Sequence, residues 1–122
     1  MKLIIAGSRT ISVSARRLRS ILEELGVPTP EEVVSGGARG VDADGEAYAY
    51  MEGIPVTRFF PDWGKGRGAG YIRNAQMVDY VGKDGGLVAL WDGVSRGTQQ
   101  CIKLAEGKGL RVWIYNPNTK GD

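Results

Sequence analysis

The sequence predicts an α/β protein: a single Rossmann-like domain with a five-stranded, mostly parallel sheet and helices on both faces. Three observations predict it. Short apolar runs of strand length alternate with stretches of helical periodicity. The turns that leave the strands carry Gly and Arg, and the turns that enter them carry far less of either. The chain has 122 residues, the size of one domain with its own core. An alternating strand and helix order closes as a parallel sheet with right-handed crossovers. The domain is expected over residues 1–116, with a polar tail at 117–122.

The elements follow in order. Residues 2–6 (KLIIA) form a buried-strand run, and Gly7-Ser8-Arg9-Thr10 is the polar turn after it. Ser12 or Ser14 can cap a helix in which Leu18, Ile21, Leu22 and Leu25 recur at i, i+3, i+4 and i+7. Gly26 ends that helix, and Pro28 and Pro30 keep it from resuming. Residues 32–35 (EVVS) are a short second strand running into Gly36-Gly37-Ala38-Arg39-Gly40. Residues 41–51 read as a helix with Ala43, Ala47, Tyr50 and Met51 facing inward, stopped by Gly53. Residues 54–60 (IPVTRFF) are the third strand, with Pro55 near its start, where a missing N–H is tolerated. Residues 61–70 (PDWGKGRGAG) form a loop with four glycines, long enough to cover a site. A helix at 71–81, a strand at 87–91 (LVALW), a helix at about 98–108 and a strand at 110–115 (LRVWIY) complete the domain.

Composition removes several classes of chemistry. The chain has no histidine, which excludes a Ser-His-Asp triad, a Cys-His pair and any zinc site with imidazole ligands. No metal site is expected. Cys101 is the single cysteine, so no internal disulfide forms, which fits a reducing compartment. A net charge of +2 is too small to argue for general nucleic-acid binding. No apolar run reaches membrane-spanning length and no signal-peptide pattern opens the chain, so a cytoplasmic location is expected and a membrane partner is not. The dinucleotide fingerprint G-x-G-x-x-G is missing after the first strand, and so is the P-loop pattern.

In a sheet of this kind the ligand lies at the carboxyl ends of the strands, near the switch point. The turns at those ends read GSRT, SGGARG, PDWGKGRG and DGVSRG, and each carries Gly and Arg. Arg9, Arg39, Arg67 and Arg96 gathered there suggest a phosphorylated ligand. The fourth strand feeds the last helix through Ser95-Arg96-Gly97-Thr98, which puts backbone N–H groups at a helix N-terminus where anions bind. Arg73, Asn74 and Arg96 could converge on the same anion. Ser95 and Thr98 serve either as caps of the last helix or as ligand contacts. Gly7, Ser8 and Arg9 from the first turn, and Ser35, Gly36, Gly37, Arg39 and Gly40 from the second, complete the glycine and arginine set.

Asp42, Asp44 and Glu46 cluster at the start of the second helix, where acidic residues suit the positive helix end. The sharper alternative is ribose hydroxyl binding or general base work, with Asp42 the first choice because it directly follows the glycine turn. Arg73 could instead pair with Asp79 or another carboxylate. Trp63 can stack on a base or pack as a lid. Cys101 shares a helical face with Leu104 and Ala105 and reads as a small buried hydrophobe.

These motifs carry a family likeness. G-S-R near the start, S-G-G-A-R-G-V-D after the second strand, G-x-x-R-N-x-x-M opening the third helix and S-x-G-T after the fourth strand resemble the SLOG superfamily. That group includes the LOG-type phosphoribohydrolases and the DNA-processing protein DprA. The chain looks most like the YspA, or cpYpsA-related, branch, and the likeness runs over about residues 2–115. The resemblance implies a nucleotide or nucleotide-derived ligand, ADP-ribose-like compounds included, at Gly36, Gly37, Gly40, Gly97 and Thr98, with Met77 in the third-helix motif. It also implies a possible homodimer. In LOG-type enzymes an Arg before the fourth strand and a Glu after the G-T pair carry hydrolysis. Arg73 matches the first, and Cys101 stands at the position of the second.

Three functions are therefore in play. The first is a binding module that senses or sequesters a nucleotide derivative without chemistry of its own. The second is an enzyme cleaving an N-glycosidic bond, with Arg73 on the phosphoribosyl part and Asp42 or Glu46 replacing the absent Glu. The third, ranked last, is single-stranded DNA binding in the DprA manner.

Overall fold

The computed structural model describes residues 1–118; of the polar tail expected at 117–122, residues 119–122 lie outside the described residues. The elements run β1 (Lys2–Gly7), α1 (Ala15–Leu25), β2 (Glu32–Ser35), α2 (Val41–Glu52), β3 (Val56–Arg58), α3 (Ala69–Val81), β4 (Gly86–Leu90), α4 (Arg96–Gly107) and β5 (Arg111–Tyr115). The five strands form one sheet in the order β3-β2-β1-β4-β5, and every pairing is parallel. The fold is that of a single Rossmann-like domain.

Strand alternation divides the core into two layers. On one face Leu3, Ile5, Val33, Val88 and Leu90 pack with Leu18, Ile21 and Leu22 of α1 and Val41, Tyr48 and Ala49 of α2. On the other face Ile4, Ala6, Val34, Leu87 and Ala89 pack with Met77, Val78 and Val81 of α3 and Cys101, Ile102 and Ala105 of α4. The central strands are buried on both sides, which is why they read as unbroken apolar runs. Ser14 is the cap of α1, its side chain accepting from the Arg17 N–H at 3.0 Å. Gly26, with φ +76°, closes the helix in the left-handed conformation.

Three expectations are corrected. The inward face of α2 is Val41, Gly45, Tyr48 and Ala49, whereas Ala43, Ala47, Tyr50 and Met51 are exposed. The reason is Gly45: a Cβ there would meet the Ile5 side chain at 2.9 Å, so the helix seats its glycine directly on β1. β3 is only three residues long. Phe59 still donates its N–H to the Ser35 carbonyl, but Phe60 leaves the ladder and lies against Gly37. α4 begins two residues before the expected start, because the Asp92 carboxylate accepts from the Val94 and Ser95 N–H groups and folds the turn directly into the helix.

The strand order reverses between β1 and β4, and at the carboxyl ends of these two strands there is no room for a side chain on Gly7. A Cβ on Gly7 would meet the Leu90 carbonyl oxygen at 2.1 Å and Val41 at 2.8 Å. Beyond Gly7 the Ser8 N–H donates to that same carbonyl, and the Ser8 hydroxyl accepts from the Asp92 N–H. The crevice of a switch point opens here. No described helix is long and apolar enough to cross a membrane.

Candidate functional site

Two adjoining cavities occupy the carboxyl end of the sheet. The first, of about 450 Å³, lies over the switch point and is walled by all four βα turns and by α3 and α4. The second, of about 530 Å³, opens over the glycine turn after β2. Arg9, Ala38, Trp63 and Arg73 line both, so they form two lobes of one site.

Arg73 is the residue around which the lobes are built. It projects from α3 and is buried to 8% exposure. Its Nε donates to the Asn74 Oδ1 at 3.0 Å, and its Nη1 donates to the Gly36 carbonyl and, at 3.5 Å, to the Phe59 carbonyl. Among the described residues its Nη2 has no hydrogen bond. No buried side-chain nitrogen or oxygen lacks a partner among the described residues, so Nη2 faces open space in the cavity. Burial lowers the Arg73 pKa, with partial relief from the Asp42 charge. A guanidinium stays protonated regardless at neutral pH.

Asp42 faces Arg73 across the glycine turn. The Gly36 Cα lies between them: a Cβ there would meet Arg73 Nη1 at 2.7 Å and Asp42 Oδ2 at 2.8 Å. Only glycine fits. Asp42 Oδ2 accepts from the Ala38 N–H at 3.2 Å, while among the described residues Oδ1 has no partner, and Asp42 lines the cavity. Burial pushes the Asp42 carboxyl above the usual carboxylate range, against the Ala38 hydrogen bond and the Arg73 charge, which hold it down.

The N-terminus of α4 supplies the opposite wall. Ser95 occupies the cap position but makes no capping bond; its hydroxyl lies 3.2 Å from that of Thr98. The first N–H groups of the helix therefore have no intrahelical partner and no cap. Gly97 and Thr98 line the first lobe with Ser8, Asn74, Met77 and Asp92. The Asp92 carboxyl is held below its usual range by the Ser95 and Val94 N–H groups. Cys101 forms part of the floor, buried among apolar neighbours, with its thiol pushed up to about 12 by burial. It is not a nucleophile at neutral pH.

The structure sorts the residues expected from sequence. Gly7, Ser8, Arg9, Asp42, Trp63, Arg73, Asn74, Met77, Ser95, Gly97 and Thr98 meet in the first lobe, and Gly36, Gly37 and Arg39 join Arg9, Trp63 and Arg73 in the second. Gly40 lines neither lobe but lets the second turn pack on the first, since a Cβ there would meet Arg9 and Ser8 backbone at 2.7 Å. Ser35 and Glu46 also stand behind the site. The Ser35 hydroxyl donates to Glu46 and accepts from the Gly37 N–H, and Glu46 pairs with Arg58 at 2.8 Å. Glu46 thus braces the glycine turn, and Asp42 is the carboxyl of that cluster in the cavity. Asp44 accepts from the Val13 N–H. Arg96 is exposed outside both lobes. Asp79 pairs with Lys108, not with Arg73.

Thr10, Gly70, Tyr71 and Asp92 line the first lobe without having been expected there. Helical spacing could have found one of them: Gly70, Asn74 and Met77 stand at i, i+4 and i+7 on α3, one face of the helix. Among the described residues no group of three His, Cys, Asp or Glu side chains is placed to hold a metal ion. No protein-family model, curated protein or solved structure matches this chain.

The arrangement has a definite chemical character. A guanidinium edge, uncapped helix N–H groups and two hydroxyls suit a phosphate. An open carboxyl oxygen beside them suits a sugar hydroxyl.

Proposed function

We propose that this chain binds a nucleotide-derived phosphorylated ligand at the carboxyl ends of its strands, as a sensor or sequestering module. The observation that carries the reading is Arg73, buried and fixed by three acceptors, with its Nη2 left open to the cavity opposite the uncapped start of α4. A buried charge without a salt-bridge partner costs several kcal/mol, and an anion arriving at that edge offsets the cost. Membership of the SLOG superfamily, with its nucleotide-derived ligands and a homodimeric state, belongs to the same proposal. A monomeric mass by light scattering at micromolar concentration would count against the dimer.

Binding is favoured over N-glycosidic hydrolysis by two observations. Glu46 is engaged by Ser35 and Arg58 behind the cavity, and the thiol of Cys101 is inert where the LOG-type Glu would stand. A thermal-shift panel tests the reading directly. It contains nucleoside monophosphates, ADP-ribose, NAD and a short single-stranded DNA, each mixture then assayed for free base. A ligand at about 100 times its Kd stabilises by roughly 2.7 kcal/mol. The expected result is a shift with the ligand recovered intact. Arg73→Lys keeps the charge and loses the fork, and it is expected to weaken binding about 30-fold. Release of base would convert the reading to an enzyme; no shift with any compound would overturn it.

A further inference from the structure

We propose that residues 61–68, between β3 and α3, are a lid that folds down over the site when an anion arrives and brings Arg67 onto it. Closure of this kind rests on the phosphate-ligand reading of the site and adds how that site is shut.

The segment is tethered to little but itself. Among the described residues, every hydrogen bond of residues 61–68 stays within 61–72. The Asp62 carboxylate accepts from the Gly64 N–H at 3.0 Å. The Asp62 and Trp63 carbonyls accept from the Lys65 and Gly66 N–H groups, which closes one 3-10 turn at Trp63–Lys65. That turn has no buried residue, and residues 62–68 are all exposed. A small unit held by its own bonds, with no side chain anchored in the core, moves at low free-energy cost.

Both ends of the unit can give. On the β3 side the last ladder bond is the Phe59 N–H to the Ser35 carbonyl. On the α3 side stand Gly68 and Gly70. Gly68 has φ −78°, which any residue adopts, and a Cβ on either glycine would meet nothing within 4 Å. Alanine would fit both positions and would hold the first turn of the helix more firmly. The freedom of these glycines serves no contact of the open form; it serves a second position of the segment.

The lid carries charge of the right sign. Arg67 lines the first lobe, and among the described residues neither Arg67 nor Lys65 has an ion-pair partner. Trp63 lines both lobes and is still 61% exposed, so it stands at their rim. A ligand closes a lid only through contacts that it makes better in the closed state. A guanidinium lowered onto a phosphate makes a charge-assisted contact of that kind, and the Trp63 ring leaves water as it follows.

Amide hydrogen exchange read by mass spectrometry tests the lid. The probes are inorganic phosphate and adenosine 5′-monophosphate, and calorimetry measures the binding of each. With a probe bound, exchange over residues 62–68 is expected to slow tenfold or more. The exposed turn at Lys83 and Asp84, at the opposite end of the sheet, is expected to keep its rate. In Arg67→Gln the probe still binds through Arg73 and the start of α4, and the slowing is expected to shrink to less than threefold. Arg67 is exposed, and a melting curve checks that the variant is folded. Binding without slowing, equal slowing at Lys83 and Asp84, or slowing that survives whole in Arg67→Gln overturns the lid and leaves the phosphate site standing. If neither probe binds, both readings fall.

Discussion

The two ends of the sheet handle polar groups in opposite ways. At the amino end charges stay at the surface. The N-terminal ammonium meets Glu31 at 2.6 Å, with Glu31 largely exposed, and Lys2 lies over the Tyr80 ring, whose hydroxyl donates to Glu32. At the carboxyl end they are taken inside. Ser8, Ser35, Asp42, Arg73, Asn74 and Thr98 are the buried polar and charged side chains of the described residues, and all six lie there. Asp42 and Arg73 do not even pair directly; each keeps one polar atom facing the cavity. Ordinary folding gains nothing from that arrangement, because burying ions without a close partner is unfavourable. The contrast sets an end that keeps its charges in water against an end that buries polar groups around a cavity, the end where the proposed ligand would sit.

Glycines make the same contrast measurable. Gly7, at the carboxyl end of β1, has no room for a methyl group: the obstacle is the Leu90 carbonyl, which cannot move without parting β1 from β4. Gly26, at the end of α1 toward the amino end of the sheet, has φ +76° and nothing within 4 Å. Its requirement is backbone conformation alone. Gly7→Ala is expected to cost about 3 kcal/mol or more. Gly26→Ala is expected to cost about 1 kcal/mol. Urea denaturation of both variants checks the pair, and equal losses would show that crowding at the switch point is not the constraint described.

Asp42 tests whether the buried charge is held at the expense of stability. Its carboxyl is raised above the value near 3.9 of an unfolded aspartate, chiefly by burial. An acid with a raised folded pKa binds its proton more tightly when folded, so its ionisation at neutral pH works against folding. Asp42→Asn keeps an oxygen that can accept from the Ala38 N–H. It is therefore expected to melt higher than the parent at pH 7. The gain shrinks as the pH falls through the folded pKa and disappears below about 3.9, where the parent carboxyl is neutral in both states. A variant that melts lower at pH 7 would show that the attraction to Arg73 outweighs desolvation.

Much of this could be read from the chain, for identifiable reasons. The central strands are buried on both faces and appear as runs such as KLIIA and LVAL, so the parallel sheet and its helices were legible. The glycine and arginine turns marked the end where the cavities open, because glycine is needed where backbones approach, as at Gly7 and Gly40. The face of α2 was not legible. Its apolar residues Ala43, Ala47, Tyr50 and Met51 follow helical spacing, but the side that packs is the one carrying Gly45, which no hydrophobic pattern weights. Glu46 and Asp42 stand four residues apart on one helix, and only three-dimensional contacts show that one reaches Ser35 and Arg58 while the other enters the cavity. Nor does sequence separate an arginine that lines a lobe, such as Arg39, from one in the same kind of turn that points away, such as Arg96.

The smallest effect is expected where the contrast is most ordinary. Asp79 on α3 meets Lys108, just past the end of α4, at 3.1 Å, with side chains 65% and 61% exposed. The pair links two helices that already share the apolar layer of Met77, Val78, Cys101 and Ala105. Water and salt screen such a pair, and holding two exposed side chains together costs rotamer freedom. Asp79→Asn is therefore expected to cost no more than about 0.5 kcal/mol, a shift in Tm under roughly 3 °C. Raising the salt concentration should erase even that difference, since added ions already weaken the pair in the parent protein. The same salt series on Asp42→Asn should leave its difference at pH 7 largely in place, because a buried carboxyl is screened far less than a surface one. If the two variants instead respond alike to salt, Asp42 is as open to solvent as Asp79, and the distinction between the two ends of the sheet loses its electrostatic basis.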